Sequence, residues 1–267
     1  MTNTFDDQGY GIYFAIASNS AGSITGNSVW DYRLAGIVVN GGLGIGLNPL
    51  VGIISNVVTG SGPNRDVAQT GIQYGFGAGG SALTNTVISN QYTGPAGGLG
   101  VGILAFGGAC YANPPSYKSP AVSSLNIVSN ILVGDDLGIA LYNLDAACNT
   151  LPAPQANALS DNLIQKYGRT NKTGWSVTPP EGYQAGIQDA GSGDRITQNT
   201  VCGHGYAPEL IPPPHIRFID HTTAINPILI GNITARSCIG VPPRASVSSD
   251  TPNIQEMHGP IRPVVRY

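Results

Sequence analysis

Seven titratable residues in the second half of the chain could carry out acid–base chemistry on a carbohydrate. They are five carboxylates, an arginine and a histidine: Asp135, Asp136, Asp145, Asp189, Asp194, Arg195 and His204. Paired carboxylates cleave glycosides, one acting as acid and the other as base or nucleophile. β-Elimination from a uronate instead needs a basic side chain and a cation, for which several carboxylates can hold calcium. The seven residues are therefore candidate catalytic residues of a polysaccharide lyase, glycoside hydrolase or epimerase.

Each candidate also has a purely structural interpretation. Asp135 and Asp136 precede an apolar stretch, which is typical of a solvated corner. Asp194 and Arg195 are adjacent and could form a surface ion pair of little energetic consequence. His204 lies between two glycines, as a loop residue would. Both interpretations stay open at the level of sequence.

A further polar group follows in the chain and consists of His215, Arg217, Asp220 and His221. The two histidines could bind a metal ion, but the sequence supplies no evident fourth ligand. We therefore expect no metal site and no cofactor, with calcium required only if the protein is a lyase.

Two short phrases recur along the chain and predict the elements that position these residues. A Gly-Ile pair opens a mostly apolar stretch at Gly11, Gly36, Gly71, Gly102, Gly138 and Gly186. An apolar residue and a short polar stretch ending in asparagine recur at Asn27, Asn56, Asn90, Asn130, Asn162, Asn199 and Asn232. The intervening stretches are short and rich in Val and Ile, and the segments joining them are rich in Gly, Ser, Asn and Pro. Such stretches are typical of short strands separated by turns.

This organisation predicts an all-β solenoid in which each repeat forms one coil. The recurring asparagines would stack into a ladder of side-chain amides along the solenoid axis. Asparagine also tolerates the left-handed backbone that a sharp corner requires. Repeats of unequal length indicate that loops of different size leave a constant core.

The Gly-Ile openings and the asparagine corners resemble those of right-handed parallel β-helix proteins of the pectin-lyase-like superfamily, in the loose repeat class that includes NosD-like proteins. The resemblance implies about seven coils over residues 1–240. Residues 241–267 contain five prolines, which cannot donate hydrogen bonds to a sheet, so we expect an extended tail that packs on the solenoid. Lyases, hydrolases, epimerases, tailspikes and adhesins share this fold, so the fold alone does not define an activity.

Three phrases resemble the polygalacturonase-type hydrolase motif of that superfamily: Asn143-Leu-Asp145, Asp135-Asp136 and Gly203-His204-Gly205. The resemblance implies that the three aspartates are catalytic carboxylates and that His204 supports them. Two features depart from the family pattern. The Asn-x-Asp phrase follows the Asp pair instead of preceding it, and the Gly-His-Gly phrase lies much further along the chain than one coil.

The four cysteines are spaced in a way that fits pairing between neighbouring coils. Cys110 and Cys148 are one long coil apart, as are Cys202 and Cys238. Stacked strands lie about 4.8 Å apart, within the Cα separation that a disulfide needs. We predict the disulfides Cys110–Cys148 and Cys202–Cys238, with four free thiols as the alternative. Disulfides would place the protein in an oxidising compartment.

Composition narrows the classes of function. Charged residues make up 10% of the 267 residues and the net charge is −3, so the sequence shows no basic surface for nucleic acid. We expect no membrane span. The first eight residues are polar and acidic, unlike an export signal. We therefore expect an extracellular, periplasmic or cell-surface protein whose export signal is absent from this chain.

Two functions remain open at this point. The first is a β-helix without an intact catalytic motif that binds a carbohydrate polymer or assembles with partner chains. Self-association is expected at the N-terminal coil, which begins near Tyr10 with no evident cap before it. The second is the polysaccharide-processing enzyme described above, with an acidic groove at coils five to seven.

Overall fold

The computed structural model describes residues 2–3, 9–15, 21–41, 48–94, 98–111, 119–170, 183–208 and 216–239. Within these ranges the chain forms strands and two short 3₁₀ helices, Ala109–Tyr111 and His204–Tyr206, with no α-helix. None of these described helices is long and apolar enough to cross a membrane. The predicted tail at 241–267 and the candidate His215 lie outside the described residues.

The strands form seven coils of three strands each, preceded by one short strand, β1 (Thr2–Asn3). In chain order, the coils are β2 (Tyr10–Ala15), β3 (Ala21–Thr25) and β4 (Ser28–Trp30); β5 (Ala35–Asn40), β6 (Leu50–Ile54) and β7 (Val57–Asn64); β8 (Thr70–Gly75), β9 (Gly79–Leu83) and β10 (Thr86–Tyr92); β11 (Val101–Gly107), β12 (Leu125–Val128) and β13 (Ile131–Val133); β14 (Leu137–Asn143), β15 (Ala158–Ser160) and β16 (Leu163–Gln165); β17 (Gln184–Ala190), β18 (Arg195–Thr197) and β19 (Thr200–Cys202); and β20 (Ile216–Asp220), β21 (Ile228–Ile230) and β22 (Ile233–Ala235).

Equivalent strands of successive coils pair in parallel and build three sheets. Sheet I contains the first strand of every coil, sheet II the second, and sheet III the third together with β1. This arrangement is the predicted right-handed parallel β-helix of seven coils. Because Thr2 and Asn3 pair with Ser28 and Val29, a short strand already lies on the first coil in sheet III. The interpretation that no evident cap precedes the first coil is therefore wrong for this sheet.

Side chains of the three sheets meet inside the solenoid and form one continuous core. On sheet I, the core column consists of Ile37, Ile72, Ile103, Ile139 and Ile187, which are in register across five coils and fully buried. Sheet III contributes Val29, Val58, Val87, Leu132, Ile164 and Val201, all buried. In-register stacking places similar side chains on top of one another, so each coil completes the burial of its neighbours.

The recurring Gly-Ile pairs are explained by how closely sheets I and III approach each other. A Cβ atom on Gly138 would lie 2.4 Å from Cγ2 of Ile164 and 2.5 Å from the carbonyl oxygen of Gly186. Equivalent clashes would occur at Gly11, Gly36, Gly71, Gly102 and Gly186. In these six coils only glycine fits at this position, so the Gly-Ile pair marks the place where sheet I packs against sheet III.

The corner between sheets II and III carries the predicted amide ladder. Side-chain Nδ2 donates to Oδ1 of the next asparagine at 2.8–3.1 Å through Asn27, Asn56, Asn85, Asn130, Asn162, Asn199 and Asn232. Six of the seven predicted positions therefore lie in the ladder. The left-handed residue is the one before each asparagine, with φ between 52° and 68°, and not the asparagine itself.

The prediction for the third coil is wrong, because Asn85 occupies the ladder position and Asn90 does not. Asn90 lies within β10, close to the next corner. Both asparagines follow a left-handed residue, Thr84 with φ 52° and Ser89 with φ 62°. The two sites therefore have the same local conformation and the same kind of sequence, and only the register with neighbouring coils separates them.

Both predicted disulfides are confirmed. Cys110–Cys148 joins the loops that follow β11 and β14, with Cα atoms 5.0 Å apart. Cys202–Cys238 joins the end of β19 to the segment after β22, with Cα atoms 5.2 Å apart. Each disulfide therefore connects two adjacent coils.

Candidate functional site

Asp135 and Asp136 form the turn between β13 and β14 and are completely buried. One carboxylate oxygen of Asp136 accepts hydrogen bonds from the backbone N–H groups of Tyr92 at 2.9 Å and Gly100 at 3.1 Å. Asp135 Oδ1 accepts from the backbone N–H of Asn90 at 2.8 Å and from its side chain at 2.9 Å. The alternative of a solvated corner is therefore wrong for this pair. Both side chains are directed into the protein, where they tie adjacent coils together.

Lys166 is the counter-ion of this corner, and it was not among the residues singled out from sequence. Its ammonium group is buried and lies 3.2 Å from Asp136 Oδ1. It also donates to the carbonyl oxygen of Asp135 at 2.9 Å and to the hydroxyl of Thr170 at 2.8 Å. A buried charge requires such partners. The signal in the sequence is a pair of opposite charges about one coil apart, with Lys166 directly after β16 and Asp136 three residues after β13.

Burial also favours the neutral, protonated form of the Asp135 carboxyl group. Desolvation raises the pKa of Asp135 to about 8, against the opposing effects of the Asn90 hydrogen bonds and the Lys166 charge. Tyr206 donates its hydroxyl to the Asp135 carbonyl oxygen at 2.8 Å, and Tyr32 donates to Asn90. This buried polar network reaches from the first coil to the sixth. It is a structural feature of the corner between sheets III and I.

Asp189 and Asp194 form a second buried group, at the corner between sheets I and II. Asp189 is in register with Leu141 and so takes a core position on sheet I, with its side chain 1% exposed. Asp194 is fully buried and accepts from the backbone N–H of Asn157 at 2.8 Å. A Cβ atom on Gly191 would lie 2.0 Å from Asp194 Oδ2 and 3.3 Å from Asp189 Oδ1. The two carboxyl groups therefore meet beside a glycine that leaves room for both.

The two carboxyl groups influence each other's protonation, because both are buried and they lie close together. Desolvation and the nearby Asp194 charge raise the pKa of Asp189 to about 7, and desolvation also raises the pKa of Asp194. Asp220 adds a further negative charge; it accepts from the Tyr183 hydroxyl at 2.7 Å and lies 3.8 Å from Arg217. Two like charges so close together in the interior cannot both ionise at low cost.

The remaining candidates reach the surface at separate places. Asp145 lies in the loop after β14, where its Oδ1 accepts from the backbone N–H groups of Ala147 and Asn149, both at 2.9 Å. Arg195 is exposed on sheet II and follows the buried Asp194, so the two do not form the expected surface pair of side chains. His204 is exposed in the 3₁₀ helix after β19. The structure thus does not bring the seven candidates onto one surface.

In the described part of the chain, no three histidine, cysteine or acidic side chains are grouped so that they could hold a metal ion. The predicted acidic groove at coils five to seven therefore has its carboxylates inside the solenoid or in separate loops. Only Asp145 among the five candidate carboxylates is partly exposed.

A different surface feature lies on the first coil, where two tyrosines stand side by side on the outer face of sheet I. Tyr10 is 40% exposed and Tyr13 is 49% exposed, and their ring centroids are 5.1 Å apart at an angle of 33°. Both point outward because the Gly11-Ile12 step between them turns two consecutive residues toward the core. The equivalent outer positions of coil two, Ala35 and Val38, are buried.

Amide side chains of the next two coils form a chain of hydrogen bonds that starts at Tyr13. Asn40 Nδ2 donates to the Tyr13 hydroxyl at 3.4 Å, and Gln73 Nε2 donates to Asn40 Oδ1 at 3.3 Å. The arrangement offers two apolar ring faces next to hydroxyl and amide groups that can exchange hydrogen bonds. We refer to Tyr10, Tyr13, Asn40 and Gln73 as the tyrosine patch.

Comparisons with protein-family models, with curated proteins and with solved structures each found no match to this chain. The class of the protein, a parallel β-helix with an internal asparagine ladder, therefore follows from its geometry.

Proposed function

We propose that the protein is an exported β-helix, of the pectin-lyase-like type, that binds a carbohydrate polymer without cleaving it. The tyrosine patch carries this proposal. Tyrosine combines a large apolar ring with a polar hydroxyl, which suits the apolar face and hydroxyl edge of a sugar ring. The half-buried amide of Asn40 lies beside the Tyr13 hydroxyl, and the buried Gln73 holds it in place through a hydrogen bond.

The position of the candidate catalytic residues supports a binding role over an enzymatic one. Acid–base catalysis on a polymer requires two titratable groups within reach of the same bond. Asp135, Asp136, Asp189 and Asp194 are buried and engaged in contacts between coils. Their chemistry is used to hold the solenoid together.

The two disulfides support the proposed location outside the cytoplasm. Structural disulfides persist in oxidising compartments and are rare where thiols are kept reduced. Both disulfides are present and no cysteine of the described chain is free. We propose an extracellular, periplasmic or cell-surface protein.

Binding to a panel of plant, algal and bacterial polysaccharides tests the proposal, by pull-down on insoluble polymers and calorimetry on soluble ones. The double variant Tyr10→Ala/Tyr13→Ala should bind at least about tenfold more weakly, corresponding to the loss of two stacking rings. Tyr167→Ala is the matched control, because Tyr167 is 65% exposed but follows β16, away from the tyrosine patch on the first coil.

Equal binding by the double variant and the parent protein would refute the tyrosine patch as the site. The same incubations should be assayed for new reducing ends and for unsaturated uronate, with and without calcium. Cleavage that is lost in Asp145→Ala or His204→Ala would establish the enzymatic alternative and overturn the binding proposal.

A further inference from the structure

The corner between sheets II and III presents an uncharged strip along the whole solenoid. The strip consists of the last residue of every sheet II strand and the first residue of the sheet III strand that follows it in the chain, and we call it the corner ridge. Its residues are Thr25, Ile54, Leu83, Val128, Ser160, Thr197 and Ile230 on sheet II, and Ser28, Val57, Thr86, Ile131, Leu163, Thr200 and Ile233 on sheet III. All fourteen are partly or fully exposed.

The composition of the corner ridge is unusual for a protein surface. Eight of its fourteen residues are Ile, Leu or Val, and the other six are Ser or Thr. Val57, Ile131 and Ile230 are 43–44% exposed. Contiguous exposed apolar surface of this kind marks an interaction site more often than a solvated face. Single exposed aliphatic residues would need no such explanation.

The absence of charge decides what kind of partner the ridge can accept. None of the fourteen positions is charged, and among the seven left-handed residues between the two columns only Asp161 carries a charge. A nucleic acid or a polyuronate would find no cation on the ridge. A second copy of the chain can approach it without repulsion between like charges, although the chain as a whole has a net charge of −3.

The spacing of the ridge points to the same partner. Its residues repeat once per coil, at the roughly 4.8 Å separation of hydrogen-bonded strands. A partner can contact every level only if it has the same repeat, and a second solenoid lying alongside has it. Seven levels give a strip about 30 Å long, and a width of about 15 Å gives a footprint near 500 Å² on each copy. This is at the lower limit of specific interfaces, so a weak dimer is expected.

We propose that two copies of this protein associate side by side through their corner ridges. This interface is distinct from the tyrosine patch, which lies on sheet I, and from the end of the first coil. Aliphatic side chains of one ridge pack between those of the other, and the Ser and Thr hydroxyls at neighbouring levels remain hydrated at its margin.

Sedimentation equilibrium over a concentration series from micromolar to millimolar tests the proposal. The parent protein should show a mass that rises with concentration toward twice that of one chain. The double variant Val57→Arg/Ile131→Arg places a cation on two coils of the ridge and should remain monomeric at every concentration. Tyr167→Arg is the control, since it adds the same side chain at a 65% exposed position elsewhere and should leave the dimer intact.

Circular dichroism and thermal unfolding would show that both variants keep the fold. A parent protein that stays monomeric throughout the series would overturn the proposal. So would a dimer that persists in the Val57→Arg/Ile131→Arg variant, because the interface would then lie elsewhere, for example at the end of the first coil. Neither result depends on whether the protein binds carbohydrate.

Discussion

Asp136 and Lys166 illustrate at the scale of single residues how this solenoid uses charge. Asp136→Ala removes an anion that lies 3.2 Å from the buried ammonium of Lys166. Breaking a buried pair from one side costs about 3–5 kcal/mol, because the remaining charge stays uncompensated. We expect the free energy of unfolding in urea to fall by about this amount. The control Asp145→Ala removes only hydrogen bonds within an exposed loop and should cost about 1 kcal/mol or less.

The double variant Asp136→Ala/Lys166→Met distinguishes charge from packing in this prediction. If the cost of Asp136→Ala is that of an orphaned ammonium, replacing Lys166 as well should restore part of the lost stability. Strictly additive losses in the double variant would contradict the interpretation.

The carboxyl pair of Asp189 and Asp194 gives the protein a specific dependence of stability on pH. Burial raises the pKa of Asp189 in the folded state to about 7, well above its ordinary value of 3.8. The folded state therefore binds more protons than the unfolded state between these values. It follows that stability is fully present below about pH 4 for this group and declines as the pH rises through about 7. Asp135, with a pKa of about 8, extends the decline to higher pH.

Urea unfolding at about pH 5 and about pH 8 measures this decline. The pair should lower the free energy of unfolding at the higher pH by on the order of 3 kcal/mol. Asp189→Asn keeps the size of the side chain and an oxygen that can accept from the Gly191 backbone N–H, but it cannot ionise. We expect this variant to lose less stability between the two pH values than the parent protein. The matched control is Asp145→Asn, which should keep the full dependence. An unchanged pH profile in Asp189→Asn would show that the pair does not titrate as described.

Residue identity alone indicates where polar groups cluster but not on which side of the backbone they lie. The sequence indicates a corner at Asp135 and Asp136, and the structure places both between β13 and β14, whereas Asp189 lies within β17 and Asp194 lies before β18. At a corner, a side chain can point outward to solvent or inward to stabilise the turn. The choice depends on partners one coil away, such as Lys166 for Asp136, and these are brought close only by the completed fold.

At the scale of single elements, the glycine before each core isoleucine allows sheets I and III to approach each other closely. Gly138→Ala would place a methyl group 2.4 Å from Ile164 and 2.5 Å from a backbone oxygen, neither of which can move freely. We expect a loss of about 1–3 kcal/mol in the free energy of unfolding, as for other overpacked cores. Gly168→Ala is a matched control, because a Cβ there meets no atom within 4 Å.

Gly168→Ala should leave stability unchanged or raise it slightly, by reducing the freedom of the unfolded chain. Equal effects of the two substitutions would mean that the Gly-Ile pairs reflect backbone flexibility and not close packing.

The strands and corners could be predicted from sequence wherever a repeat contains a recognisable Gly-Ile pair or asparagine phrase. The Gly-Ile openings locate the first strand of six coils, and the asparagine phrase locates the corner between sheets II and III in six coils out of seven. The third coil shows the limit. Ser89-Asn90 and Thr84-Asn85 share residue type and left-handed geometry, so the ladder position is decided by pairing with Asn56 and Asn130 in neighbouring coils. The seventh coil has Phe218 where the others have glycine, so its opening carries no such signal.

At the scale of the whole molecule, a solenoid is stabilised mainly by contacts between adjacent coils, and its end coils have a neighbour on one side only. The seventh coil is at one end of the described solenoid, and Leu229 in its core column is only partly buried. The disulfide Cys202–Cys238 connects this coil to the sixth across a sequence separation of 36 residues. By restricting the unfolded chain, a disulfide closing such a loop stabilises by about 3–4 kcal/mol. We infer that the disulfide keeps the last coil in place.

Hydrogen exchange measured strand by strand tests this inference. In Cys202→Ser/Cys238→Ser, the amides of β20, β21 and β22 should lose protection first, while those of the central coils keep it, because local opening begins where the fewest contacts hold the chain. The control is Cys110→Ser/Cys148→Ser, whose disulfide joins loops of coils four and five and should leave the exchange of the seventh coil unchanged. Uniform loss of protection over all seven coils in the first variant would mean that the solenoid unfolds as one cooperative unit. In that case, the disulfide would act on the stability of the whole molecule and not on its end.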